Sequence, residues 1–94
     1  MSGYARIGVY TLVGDLEEVV SKIKEDALPM YQQQPGFVSY SVVKSGSTLI
    51  STSVWETEEA AQKASEMMSN WAKETLPTQV SQVSDYNGEI VVSS

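Results

Sequence analysis

The chain has 94 residues, 12 acidic against 6 basic side chains, a formal net charge of −6, and neither histidine nor cysteine. That length suits one domain, read here as residues 1–94, and so small a domain buries only roughly 60–65 % of its unfolded surface, which favours self-association. The acidic balance without a Lys/Arg cluster excludes a nucleic-acid partner, and the missing thiols exclude a disulfide framework or thiolate metal site.

Along the chain, Tyr4 to Val13 alternates with the two-residue period of a strand, placing Ile7, Val9, Thr11 and Val13 on one face. Tyr4, Arg6, Gly8, Tyr10 and Leu12 take the other. Both sets contain large side chains, so the strand is expected to be covered on both faces. Gly14 breaks the pattern, and Asp15 with Glu18 three residues on reads as an acidic capping box. Leu16, Val19, Val20, Ile23, Ala27 and Met30 then recur at helical spacing opposite Glu17, Lys22, Lys24 and Glu25. Pro29 is expected to end or kink that helix.

Pro35-Gly36 punctuates a turn before a second strand from about Phe37 to Val43. The polar Lys44-Ser45-Gly46-Ser47 predicts a tight hairpin onto a third strand, Thr48 to Trp55. One face of that strand carries Leu49, Ser51, Ser53 and Trp55, a mixture suited to lining a cavity. Thr57, followed by Glu58 and Glu59, caps a second helix whose stripe is Ala60, Ala64, Met67, Met68 and Trp71. Leu76-Pro77 ends it. The tail reads as a final strand interrupted at Gly88, with Asn87-Gly88 either a bulge or a turn.

This order predicts an α+β, ferredoxin-like βαββαβ domain: a four-stranded antiparallel sheet with two helices on one face. The other face would expose Tyr, Leu, Val and Trp side chains, and a second copy of the chain is the simplest cover for it. No apolar run approaches the roughly 18 residues of a membrane span, and the N-terminus lacks a basic segment before a hydrophobic one, so a cytoplasmic location and no membrane partner are expected.

Five segments carry a family resemblance: Pro35-Gly36-Phe37, Val54-Trp55-Glu56-Thr57-Glu58-Glu59-Ala60-Ala61, Trp71, Leu76-Pro77 and Gly88-Glu89-Ile90. In order and spacing they resemble the dimeric α+β barrel superfamily and, within it, the antibiotic-biosynthesis monooxygenase (ABM) type. The resemblance covers nearly the whole chain. It implies a homodimer whose sheets face each other, with a pocket between each sheet and its own helices. Members that oxidise polycyclic phenols without a cofactor use Asn, Trp, Tyr and Arg, and haem-degrading relatives add a histidine on the second helix. The chain has no histidine for that role. Asn70-Trp71 does not reproduce the phenol-oxidising spacing, and fold alone does not fix a reaction, so no catalytic residue is assigned.

Conventional hydrolase, kinase and dehydrogenase patterns are absent, as are the commonest general base and strongest nucleophile. No metal site or cofactor is expected, since acidic neighbours such as Glu25-Asp26 and Glu58-Glu59 diverge by about 100° on a helix and read as solvated faces. The pocket candidates are Arg6, Tyr10, Tyr40, Trp55, Trp71 and Tyr86. Arg6 either holds an anionic or phenolate ligand or forms an ion pair. Trp55 and Trp71 are either substrate walls or core, and the tyrosines suit a phenolic ligand or a dimer interface. The resulting expectation is an ABM-like protein acting as a cofactor-independent monooxygenase on a small aromatic or quinol. The alternative is a non-catalytic small-molecule-binding or stress-related homodimer.

Overall fold

The structure, a computed structural model, describes residues 3–94; residues 1 and 2 of the expected domain lie outside the described residues. Strand β1 (Tyr4–Leu12) leads into a helical element made of α1 (Leu16–Lys22), a π-helical turn (Ile23–Ala27) and α2 (Leu28–Gln32). Strands β2 (Phe37–Ser45) and β3 (Thr48–Trp55) follow, then helix α3 (Glu58–Thr75) and strand β4 (Val80–Glu89). The sheet order is β2-β3-β1-β4, antiparallel throughout, which is the expected ferredoxin-like arrangement. Helix α3 lies over β1, β3 and β4, and α2 touches β2.

Four local expectations change. Of the two outcomes expected at Pro29 the helix does not end but loses its regular α geometry: it runs through to Gln32, with a wider π turn immediately upstream, where the Leu28 amide donates to the Ile23 carbonyl. A π turn adds a residue to the ring, and Pro29 sits early in α2, where its missing N–H costs little. The Asp15 cap is only half a box. Asp15 accepts from the Glu17 amide at 3.2 Å, but the Asp15 amide donates to Gln79 Oε1 at 2.9 Å rather than to Glu18. Strand β4 is continuous across Gly88 and ends at Glu89, its irregularity lying instead at Val83, which is skipped between the Val9–Ser84 and Tyr10–Gln82 pairs. Finally, within the single chain β1 is covered on one face only, which leaves the other open to a partner.

That last difference follows from the pleat. Arg6, Gly8 and Tyr10 point under the helices and are buried, while Ile7 and Thr11 on the opposite face are exposed. In β3 the same alternation buries Leu49, Ser51, Ser53 and Trp55. The register extends the open face to Val43 opposite Ile50, Val54 opposite Ala5, and Tyr86 opposite Ile7. The hairpin closes through Gly46, whose φ of +60° suits a two-residue turn.

The core sits between sheet and helices, around Tyr10, Val19, Tyr31, Leu49, Trp55, Ala64 and Met68. Tyr31 is fully buried, donates its hydroxyl to the Ala64 carbonyl at 2.8 Å and meets Tyr40 and Trp55 edge-on at centroid distances of 5.0 and 5.1 Å. Phe37 meets Trp55 in the same way at 5.5 Å. These edge-to-face contacts fix α2 against β2 and β3.

Candidate functional site

Strand alternation sends Arg6 and Tyr10, four residues apart, to the same buried face of β1, with Gly8 between them. The Arg6 side chain lies along the space above Gly8, so closely that a β-carbon there would collide with the guanidinium. From that position Nη2 donates to the Tyr10 hydroxyl at 2.8 Å, Nη1 to Ser51 Oγ at 3.4 Å, and Nε to Asp85 Oδ1 at 2.7 Å. Arg6 is fully buried, whereas the Asp85 side chain keeps 26 % of its exposure. Burial alone would disfavour the guanidinium charge, but the hydrogen bond to Tyr10 and the negative charge of Asp85 help to outweigh it, and the Arg6 pKa is raised. The result is a fixed positive charge behind Tyr10.

Tyr10 in turn walls a small cavity of about 30 Å³ between the sheet and both helical elements, together with Val19, Ile23, Tyr40, Met68 and Trp71. That is room for about one or two waters. Ser51 and Tyr40 are its other polar members. Burial pushes the Tyr40 pKa up, against the lowering effects of Ser51 and Arg6. At neutral pH the Tyr40 phenol therefore carries its proton and acts as a hydrogen-bond donor or acceptor.

A wider cleft of about 340 Å³ opens between the first helical element and the edge strand β2. Ile23, Tyr40, Val42 and Leu49 wall both spaces, so a single layer of side chains separates the cleft from the inner cavity. Of the two spaces the cleft is the one of small-molecule size, and its lining is mostly apolar with few polar groups.

Of the six sequence candidates, Tyr10, Tyr40 and Trp71 line the inner cavity and Arg6 lies directly behind it. Trp55 does not line it. It is 1 % exposed, packed among Tyr31 and Phe37, with its indole N–H donated to Ser53 Oγ at 2.8 Å. Tyr86 is on the open sheet face and 61 % exposed. Asp85 and Tyr31 escaped the sequence reading. Asp85 is brought to Arg6 only by the β1–β4 register, while Tyr31 follows Pro29, where the helix was expected to end or kink.

No family model matches the chain, and no curated protein matches its sequence. Solved structures do match its fold. A protein of unknown function from Nitrosomonas europaea aligns at a TM-score of 0.74 and 17 % identity, over 100 % of this chain and 94 % of its own. The cofactor-independent oxygenase SnoaB from Streptomyces nogalater aligns at 0.70 and 17 %, over 100 % of this chain and 96 % of its own. A candidate antibiotic biosynthesis monooxygenase from Bordetella bronchiseptica aligns at 0.71 and 13 %, over 98 % of this chain and the whole of its own. The chain thus has the ferredoxin-like fold that these solved structures, an oxygenase and a candidate antibiotic biosynthesis monooxygenase among them, share.

Proposed function

We propose that the protein binds a small aromatic or quinol-type molecule between its sheet and helices and supports oxidation of that molecule by dioxygen without a cofactor. The observation that carries this reading is Tyr10: it lies one layer of side chains behind the cleft, its hydroxyl accepts from buried Arg6, and its own O–H is left to donate to the oxygen of a ligand for which Ile23, Val42 and Leu49 give way. For an anthrone-type substrate, loss of a ring C–H proton places negative charge on the carbonyl oxygen. A donor backed by a fixed cation stabilises that charge. Dioxygen then accepts the electrons: one oxygen atom becomes the new carbonyl, and the other leaves as water with the two hydrogens of the oxidised CH₂. SnoaB, with the same fold, is a cofactor-independent oxygenase, which supports the reaction class.

Oxygen uptake with anthrone is the test. Turnover by the protein, lowered about 100- to 1000-fold in Tyr10→Phe with the fold retained, is expected for loss of one such donor; uptake no faster than in buffer refutes the oxygenase reading.

A second reading is a non-catalytic small-molecule binder. It is favoured by the inner cavity wall, which carries no carboxylate and whose Tyr40 is held protonated by burial. Thermal stabilisation by an anthrone or quinol without oxygen consumption would identify it. In either case a homodimer is proposed, formed through the open face of Ile7, Val9, Val43, Ile50, Val54 and Tyr86.

A further inference from the structure

The cleft outside the cavity has an uneven rim. Its lining is mostly apolar, from Leu16, Val20, Ile23 and Leu28 on the helical side to Tyr40, Val42 and Leu49 on the sheet side, yet it includes Lys24 and Lys44 and no carboxylate. This is unexpected in a chain with twice as many acidic as basic residues. Register explains one lysine: Lys44 pairs with Leu49, which points under the helices, so Lys44 leans over the cleft from the edge strand. Lys24 reaches the same cleft from the π turn on the opposite wall. Neither is neutralised, because the one ion pair among the described residues is Arg6 with Asp85.

We propose that this cleft selects an aromatic carboxylic acid, with the ring system against Ile23, Val42 and Leu49 and the carboxylate held between Lys24 and Lys44 at the mouth. The proposal rests on the small-aromatic reading above and narrows its ligand to one bearing a terminal anion. Such a ligand matches both properties of the cleft. Its apolar body displaces water from the apolar walls, and its charge meets the two unpaired cations. The same lysines would steer an anion toward an otherwise repelling protein at low ionic strength.

The probes are 2-naphthoate and its neutral counterpart 2-naphthalenemethanol, titrated calorimetrically into the full chain at neutral pH and low salt. Two solvent-exposed charge pairs predict about three- to tenfold tighter binding of the carboxylate, a preference that shrinks as salt is raised. In the K24Q/K44Q double variant the preference should vanish while the affinity for the alcohol stays the same. Equal affinities in the parent protein, or a preference that survives the double variant, overturn the lysine clamp and leave aromatic binding standing. Ile23→Trp fills the shared wall and should weaken both probes; binding of both at parental strength would place the ligand elsewhere and overturn the proposal. Binding of neither probe to the parent protein refutes the clamp and the small-aromatic reading together.

Discussion

Arg6 is a permanent charge without access to water, and its only ionised partner, Asp85, is partly hydrated. The two ends of the pair should therefore respond differently to substitution. Asp85→Ala leaves a buried guanidinium with only Tyr10 and Ser51 as partners and is expected to cost on the order of 3 kcal/mol. Arg6→Met keeps much of the volume and lets Asp85 turn to solvent, so its cost should be about 1 kcal/mol; urea titrations of both variants measure the asymmetry. Gly8→Ala places a methyl against the guanidinium, and the same titration should show a loss of about 1–3 kcal/mol from overpacking. The shared face of Arg6, Gly8 and Tyr10 was legible in the sequence because a strand alternates with period two. Asp85 was not. Its encounter with Arg6 depends on a register between segments 79 residues apart that shifts at Val83.

At the scale of elements, the first helical element shows how tertiary contacts override a local stop signal. Pro29 lowers helix propensity, but burying Tyr31 against Tyr40 and Trp55 and bonding its hydroxyl to Ala64 rewards continuing to Gln32. The apolar stripe from Leu16 to Met30 could be read because it is local; the burial of Tyr31 beyond it could not, since its reason lies in β2, β3 and α3. This packing has a pH signature. Burial raises the pKa of Tyr31 and of Tyr40 above the ordinary value of 10.0. In the unfolded chain both phenols lose their protons near pH 10, while the folded protein holds them, so the folded state binds more protons above that pH. Its stability is therefore complete below about pH 10 and falls as pH rises, by up to about 1.4 kcal/mol per unit for each tyrosine in this window. Chemical denaturation between pH 8 and 11.5 should show the fall, with a shallower slope in Tyr31→Phe. An identical slope in that variant would mean that Tyr31 does not hold its proton in the folded state.

For the whole molecule, the strand order was readable from the sequence because hairpin chemistry joins β2 to β3 and right-handed crossovers leave few other arrangements. The cavity was legible only in part: Ser51 and the aromatic residues marked a lined face, but its small size is set by how Met68 and Trp71 pack from α3. The same sheet has a second consequence on its other side. Ile7, Val43 and Tyr86 are 37 %, 52 % and 61 % exposed, and Val9, Ile50 and Val54 lie on the same face, a largely apolar surface interrupted by Thr52, Ser41 and Ser84. Covering it with a second copy under two-fold symmetry makes each residue act twice, once from each side, so one substitution introduces two charges into one interface. Ile7→Glu is expected to convert a species with the mass of two chains into one with the mass of a single chain, read by light scattering at micromolar concentration. The charge points away from the helix-side core, so a single chain that retained its own packing would keep its circular dichroism spectrum while its melting temperature lost any dependence on concentration. A parent protein that already scatters as one chain, with the same melting temperature at every concentration, would refute the proposed role of this face.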